Sequence, residues 1–299
     1  MFPKARDLHK PNKPLVPNGL GIIYVLVSVT YLFLLGCLGL VEVNATSGAS
    51  PALTLAVCML FGGFMGLVDD WMDIPWRYKA FLPIFAALPL TALREGTPVM
   101  ATYFWGRIDF RVTSFCGIPG EIIFYFVIIP LIVTITTNAV NQLGGLNGLE
   151  TICPLIVLFG LFLGSSSDVQ ILLYVPLSVY LLLAYFNFRG RIFVGNTGSF
   201  AIGMTLASYT LVANIEQTLA ISILPFIFNS SLILLTYFIF RKKARVSFDG
   251  EKLFSNHVRS LITVVTYHRR LSERQVVTVI SLLVAFSTTI ALLVQWFQL

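Results

Sequence analysis

Residues 20–43 read LGIIYVLVSVTYLFLLGCLGLVEV, with no charged side chain before Glu42. A run this long and this apolar matches the roughly 20 residues that an α-helix needs to cross a hydrocarbon core. Working outward, the same pattern returns at 122–137, 219–240 and 276–297. Over the 299 residues, 57% are hydrophobic and only 11% charged, against about 25% charged in an ordinary soluble domain. One water-facing globule cannot bury that much apolar surface. The segment 1–17 carries Lys4, Arg6, Lys10 and Lys13 and lacks the pattern of a cleaved leader. The fold class expected is therefore all-α, a polytopic helical bundle embedded in a membrane. About nine spans are expected, at 19–43, 52–68, 79–92, 120–138, 151–164, 170–187, 199–213, 219–240 and 276–297.

Lys and Arg orient the bundle. With the N-terminus in the cytosol, the cytosolic segments are 1–18, 69–78 with Lys79 at the boundary, 139–150, 188–198 and 241–275. They hold 17 of the 20 basic residues, and Arg94, Arg107 and Arg111 are the other three. By the positive-inside rule the N-terminus is cytosolic, and an odd number of spans leaves the C-terminus outside. The whole chain, 1–299, then reads as a single domain whose cytosolic segments form the site. Its net charge of +6 belongs to a membrane surface, so membrane lipids are expected neighbours and nucleic acid is not. The four cysteines lack paired spacing and read as buried structural thiols, and the three histidines lack metal-ligand spacing.

The polar clusters gather on the cytosolic side. Asp69, Asp70 and Asp73 stand at helical spacings of three and four, so all three can share a side. Such crowding favours a cation, and Mg²⁺ suits carboxylate oxygens and phosphates; equally, the three form a solvated helix end beside Arg77 and Lys79. Asn138 and Asn141 lead into Gly144-Gly145-Leu146-Asn147-Gly148, where amides suit a metal or a base edge and glycines admit close backbone approach; a capped turn reads the same way. Phe193-Val194-Gly195-Asn196-Thr197-Gly198-Ser199 opens a span, with Asn196 or Thr197 as cap and a helix N-terminus suited to an anion. Arg241, Lys242, Lys243 and Arg245 follow a span, where they meet anionic lipid or clamp a diphosphate. The spacing Gly62–Gly66 permits close helix contact.

In these residues the chain resembles the polyprenyl-phosphate N-acetylhexosamine-1-phosphate transferases, most closely the eukaryotic and archaeal dolichyl-phosphate branch. The resemblance runs from Asp7-Leu8-His9-Lys10 through Asp69-Asp70, Trp76-Arg77-Tyr78-Lys79 and 137–150 to Phe193–Thr197, Gly203-Met204-Thr205 and the basic loop. It implies transfer of N-acetylglucosamine-1-phosphate from UDP-GlcNAc to polyprenyl (dolichyl) phosphate, releasing UMP. It implies Mg²⁺ as cofactor, with Mn²⁺ as substitute, held by Asn141 and Asn196. It implies Asp69 and Asp70 as the catalytic acidic pair, and Lys79, Asp7 and Lys10 on the lipid phosphate. Asn147, Asn138, Glu150, Arg241, Lys242 and Arg245 would bind the nucleotide sugar. A homodimer is compatible with it. The membrane would be the plasma membrane in an archaeon or bacterium and the endoplasmic reticulum in a eukaryote. Three departures stand out. Asn196 occupies a position where the family usually has Asp, which implies weaker metal binding. Nine spans are counted rather than ten. The basic loop lacks the family's histidine and proline. The alternatives are a relative using another UDP-N-acetylhexosamine with undecaprenyl phosphate and, from another class, a transporter; a transporter would carry mid-membrane polar groups and repeated halves.

Overall fold

A computed structural model describes residues 2–44, 48–102, 106–241 and 245–298. Its helices are α1 (Gly21–Cys37), α2 (Pro51–Met72), α3 (Trp76–Ala86), α4 (Leu88–Ala92), α5 (Gly120–Ile123), α6 (Ile129–Gln142), α7 (Leu149–Gly164), α8 (Ser167–Gln170), α9 (Tyr174–Phe188), α10 (Gly195–Ala213), α11 (Glu216–Ser222), α12 (Leu224–Phe240), α13 (Leu261–Val265) and α14 (Glu273–Gln298). Four short antiparallel hairpins decorate the connections: β1 (Lys4–Arg6) with β2 (Leu15–Pro17), β3 (Val99–Thr102) with β4 (Gly106–Asp109), β5 (Ser114–Phe115) with β6 (Ile118–Pro119), and β7 (Ser247–Phe248) with β8 (Leu253–Phe254). The helical bundle is as expected; the hairpins are additions, too short for a periodicity argument to find.

Among the described residues, four helices are long and apolar enough to cross a membrane: Pro51–Met72, Gly120–Gln142, Ser167–Phe188 and Glu273–Phe297. A fifth results if α11 and α12, bent by 56° at their junction, count as one. Proline explains the breaks. The stretch 219–240, expected as one span, turns at Ile223 because Pro225 opens α12 and has no N–H to continue α11. The stretch 79–92 divides at Ala87, just ahead of Pro89, into α3 and α4. Before Pro130 the chain takes one π turn, Phe124–Ile128, in which the Ile129 N–H reaches back to the Phe124 carbonyl.

α10 is the axis of the fold. It packs most heavily on α2, and also on α6 and α1. All of Thr197–Leu211 is buried, so this helix is surrounded by protein rather than lipid. That explains its composition: small and hydroxylated residues are interleaved with its larger apolar ones. Its hydroxyls bond inward, as where Tyr24 donates to Thr205 Oγ1 (2.9 Å) and Thr205 donates to the Ala201 carbonyl (2.8 Å). The outer helices show Phe64, Phe126, Leu182, Phe238 and Phe286 on the opposite faces, the side chains that a lipid surround accommodates.

Gly62 and Gly66 make the α2–α10 approach. A Cβ at Gly62 would meet Met204 and the Phe200 carbonyl, and one at Gly66 would run into the Asn196 carbonyl. α2 therefore lies against the very start of α10, and Asp70, one turn beyond Gly66, arrives at its N-terminus.

Candidate active site

The acidic cluster does not act as one face. α2 ends at Asp73, which is left-handed (φ 47°) and fully exposed. Asp69 turns inward: its Oδ1 accepts from Lys79 Nζ (2.7 Å) and from the Ile74 N–H (3.0 Å), while its buried Oδ2 has no partner. Asp70 turns to α10, accepting from the N–H groups of Asn196 (2.8 Å) and Thr197 (2.9 Å) and from Thr197 Oγ1 (2.8 Å). The expectation that all three share a side is corrected for Asp70: Asp69 and Asp73 both face Lys79 Nζ (2.7 and 3.8 Å), whereas Asp70, about 100° round the helix from Asp69, meets the start of α10. A second correction concerns α10. Its start was read as capped by Asn196 or Thr197 and open to an anion. Its N-cap, Val194, makes no side-chain cap, and the capping carboxylate is Asp70, from a different helix. The positive end of the helix dipole is thus already answered by a protein anion.

Beside that end, Asn141 Nδ2 donates to Asn196 Oδ1 (3.1 Å) and to Ser199 Oγ (2.8 Å). Amide oxygens of Asn141 and Asn196 and a hydroxyl are hard oxygen donors of the kind Mg²⁺ takes, but all are neutral. The adjacent carboxylate, Asp70, has both oxygens engaged on α10. The set fits Mg²⁺ where a bound ligand supplies the negative charge.

Two cavities flank this pair. One, of about 490 Å³, opens between α3, α6 and α12 and is lined by Trp76, Lys79, Asn138, Asn141, Ile227 and Leu234 among others. It has a cation and amides at one end and apolar walls. Asn138 Nδ2 is spent on the carbonyls of Ala80 and Thr134 (both 3.0 Å), tying α6 to α3; Asn138 therefore stands with Lys79 rather than with Asn147. The second cavity, of about 210 Å³, is lined by Arg6, Asp7, Asn147, Glu150, Phe193 and Gly195 among others.

The N-terminal hairpin builds the second cavity. Pro17 accepts from the Phe193 N–H (2.8 Å), and Phe193 and Val194 accept from Leu20 and Gly21 (3.1 and 2.9 Å), so residues 17–21, at the end of the hairpin, lie along 193–194. This places Asp7 over the glycine-rich turn, where its Oδ2 accepts from Asn147 Nδ2 (2.7 Å). Lys10 Nζ reaches Glu273 Oε2 (2.6 Å), and Glu273 Oε1 accepts from the Asn147 N–H (2.7 Å) and Nδ2 (3.0 Å). Asp7 and Lys10, assigned to the lipid phosphate by resemblance, find their partners at Asn147 and Glu273, whereas Lys79 pairs with Asp69. His9, Asp7 and Glu273 place ligand atoms within 4.8 Å of one another, a grouping that the spacing of histidines could not reveal; Lys10 already serves as its cation.

Asn187, missed in the sequence, locks the loops together. Fully buried, it accepts from the Gly148 N–H (2.8 Å) and Thr151 Oγ1 (3.0 Å), and donates to Glu150 Oε1 (3.2 Å) and the Ile192 carbonyl (2.9 Å). Gly148 sits at φ +95°, which only glycine adopts freely, and a Cβ there would strike Phe188. Glu150 lies just ahead of the apolar stretch 151–164. Burial pushes its carboxyl up to about 7, against the opposing hydrogen bond from Asn187. The detectable signal for Asn187 was an amide at the end of an apolar stretch; for Glu273 it was an acid set among Arg269, Arg270 and Arg274.

Arg245 lines a third cavity, of about 530 Å³, with Leu8, His9 and Gly145. Arg241 ends α12 in a left-handed conformation (φ 49°), exposed. Lys242 lies outside the described residues. Of the cysteines, Cys58 and Cys153 are buried, but Cys37 and Cys116 are exposed, which corrects the reading of all four as buried.

Comparison with known proteins gives the family of the chain. A Saccharolobus solfataricus protein, provisionally named a UDP-N-acetylglucosamine–dolichyl-phosphate N-acetylglucosaminephosphotransferase, is 30% identical across 97% of this chain and 88% of its own length. The enzyme of that name from Dictyostelium discoideum is 26% identical over 75% of this chain and 62% of its own length. The phospho-N-acetylmuramoyl-pentapeptide-transferase of Streptococcus pyogenes serotype M18 is 24% identical over 78% of this chain and 70% of its own length. The profile of Glycosyl transferase family 4 matches residues 52–214, from the start of α2 to the end of α10 and so through the acidic pair, the amide pair and the glycine-rich turn, and the chain belongs to that family.

Proposed function

We propose that this protein transfers N-acetylglucosamine-1-phosphate from UDP-GlcNAc to a polyprenyl phosphate of the dolichyl type, giving polyprenyl-diphospho-GlcNAc and UMP. The observation that carries the reading is the position of the Asn141–Asn196 pair. Asn141 lines the apolar-walled groove with Lys79, and Gly195, next to Asn196, lines the cavity of Asn147 and Phe193. A lipid phosphate entering by the groove and a nucleotide diphosphate seated in the cavity meet at these amides.

An oxygen of the acceptor phosphate attacks the phosphorus that bears the sugar. A new P–O bond forms, the anhydride bond breaks, and UMP leaves with the bridging oxygen. A phosphate monoester has a second pKa near 6, so the nucleophile is already largely ionised and no strong base is required. The difficulty is the approach of two anions. Lys79 meets the acceptor phosphate, with Asp69 holding it in place. Asp70 fixes the start of α10 and through it Asn196. Asn141 and Asn196 would hold Mg²⁺, which would supply positive charge to offset that of the transferring group. Both Asp70 oxygens are occupied by α10, which argues against Asp70 as the nucleophile of a two-step route and leaves direct in-line attack as the favoured reading. Arg245 and Arg241 stand on the sugar and diphosphate side, and Asn147 meets the base.

The nine-span arrangement, N-terminus and site in the cytosol and C-terminus outside, belongs to the same proposal. It rests on the 17-to-3 division of basic residues. Cysteines introduced at Trp76 and Gly250 are expected to label from the same membrane face; labelling from opposite faces sinks the topology. For the activity, purified protein with UDP-GlcNAc, dolichyl phosphate and Mg²⁺ is expected to release UMP together with a lipid-linked sugar. Absence of both products, or products formed only with a different UDP-N-acetylhexosamine, overturns the donor assignment.

A further inference from the structure

Two carboxylates converge on one amide, with a lysine behind one of them. Asn147 Nδ2 donates to two carboxylates at once, Asp7 Oδ2 at 2.7 Å and Glu273 Oε1 at 3.0 Å. The same Glu273 oxygen also accepts from the Asn147 backbone N–H at 2.7 Å. Lys10 Nζ lies 2.6 Å from the other Glu273 oxygen. Asp7, Asn147 and Glu273 are all nine-tenths buried or more, so no water competes freely for these bonds.

Carboxylates only accept hydrogen bonds. An amide between two of them has one stable orientation: NH₂ toward the acids and the carbonyl oxygen away. Turning the amide over would set its oxygen against two anions and cost both bonds. The consequence is visible at the other side of the group, where Asn147 Oδ1 is a buried acceptor with no partner. Buried polar atoms normally have one, and an acceptor held in this way asks for a donor from whatever occupies the cavity that Asn147 lines. Two carboxylates on one NH₂ repel each other, and the Lys10 ammonium offsets that repulsion.

From this network we infer that Glu273, with Asp7, is a positioning residue that fixes the Asn147 amide as a hydrogen-bond acceptor and thereby selects a uracil base over a cytosine base. The inference rests on the proposed donor, a uridine nucleotide. Uracil presents an imide N–H on its pairing edge, where cytosine presents a bare ring nitrogen. A fixed acceptor bonds the first and opposes the second. Free to turn over, the same amide would serve either base, so the selectivity resides in the acids behind it and not in Asn147 alone.

The test uses the full-length purified protein with UMP and CMP as probes, binding being measured by calorimetry. The unaltered protein is expected to prefer UMP by about 30-fold or more, the scale of a buried polar group left unpaired. In the double variant Asp7→Asn/Glu273→Gln both acids become amides that donate as well as accept. Asn147 can then turn over, and the UMP-to-CMP preference is expected to fall to within about threefold of unity. Adding Asn147→Asp to that pair restores a side chain that only accepts, now held by donors, and should bring back at least about 10-fold preference for UMP. A double variant that keeps the parent preference overturns the inference while leaving the donor assignment intact. So does a parallel loss of UMP and CMP binding that Asn147→Asp does not rescue, since that marks a merely structural role. If the unaltered protein binds no uridine nucleotide, the donor assignment falls and this inference falls with it.

Discussion

The two ends of α2 both place a carboxylate out of water, and they do it by different means. At the Pro51 end, Glu95 is buried and accepts from Thr54 Oγ1 (2.9 Å) and Asn44 Nδ2 (3.3 Å), a hydroxyl and an amide. Burial there pushes the carboxyl above its ordinary range. At the Met72 end, Asp69 holds the Lys79 ammonium and Asp70 holds the N–H groups that open α10. One end lowers the charge of its acid and uses it as a pin. The other ties its acids to a cation and to helix N–H groups, and leaves Asp69 Oδ2 unspent. A buried acid with neutral partners marks structure. A buried acid paired to a cation beside a cavity marks a place for an anionic ligand.

The largest effect that should break this contrast is at Asp70. Asp70→Ala removes three acceptor bonds from the α10 N-terminus and loosens Asn196, and turnover should fall by about 10²-fold or more, the scale of losing a transition-state arrangement. Glu95→Gln, the matched change at the opposite end, should leave turnover within about twofold, since a neutral group with the same partners replaces a carboxyl that burial already favours as neutral. Steady-state UMP release measures both. Equal losses would show that α2 acts only as a scaffold.

Next in size is Lys79→Ala. Use of the lipid acceptor should weaken about 10-fold with little change in nucleotide-sugar KM, and stability should drop by about 3 kcal/mol because Asp69 is left as a buried unpaired charge. Combining it with Asp69→Asn should recover most of the stability and none of the acceptor affinity. Recovery of both would assign Lys79 a structural role alone.

Asn196→Asp sharpens the comparison by adding charge where the amides stand. The Mg²⁺ concentration for half-maximal activity should fall by about fivefold or more, because a carboxylate binds a hard cation better than an amide does. An unchanged Mg²⁺ titration separates Asn196 from the metal.

The smallest effect is on pH dependence, through Glu150. Its folded-state value of about 7 exceeds its ordinary 4.5, so between those values the folded protein holds a proton that the unfolded chain has released. Stability from this group is therefore full below about 4.5, declines as pH rises toward about 7, and is level above. Glu150→Gln removes the titration, and thermal denaturation in detergent from pH 5 to 8 should lose part of its slope. A slope identical to that of the parent would place Glu150 in a wetter setting.

Much of this was written in linear order. Apolar runs such as 20–43 and 276–297 exceed what water tolerates, so a membrane bundle follows from composition and length alone. The polar clusters at 69–73, 138–150 and 193–199 are conspicuous because each interrupts such a run, and together they carry the family's signature. Direction was not legible. Asp69 and Asp70 both lie inside α2, and adjacent helical residues point about 100° apart, so Asp69 meets Lys79 and Asp70 meets a helix start 126 residues further on; the spacing names neither partner. Asn187 and Glu273 belong to no motif; their importance comes from what surrounds them. A buried polar group must find its partners wherever packing brings them, and only the tertiary structure decides where that is.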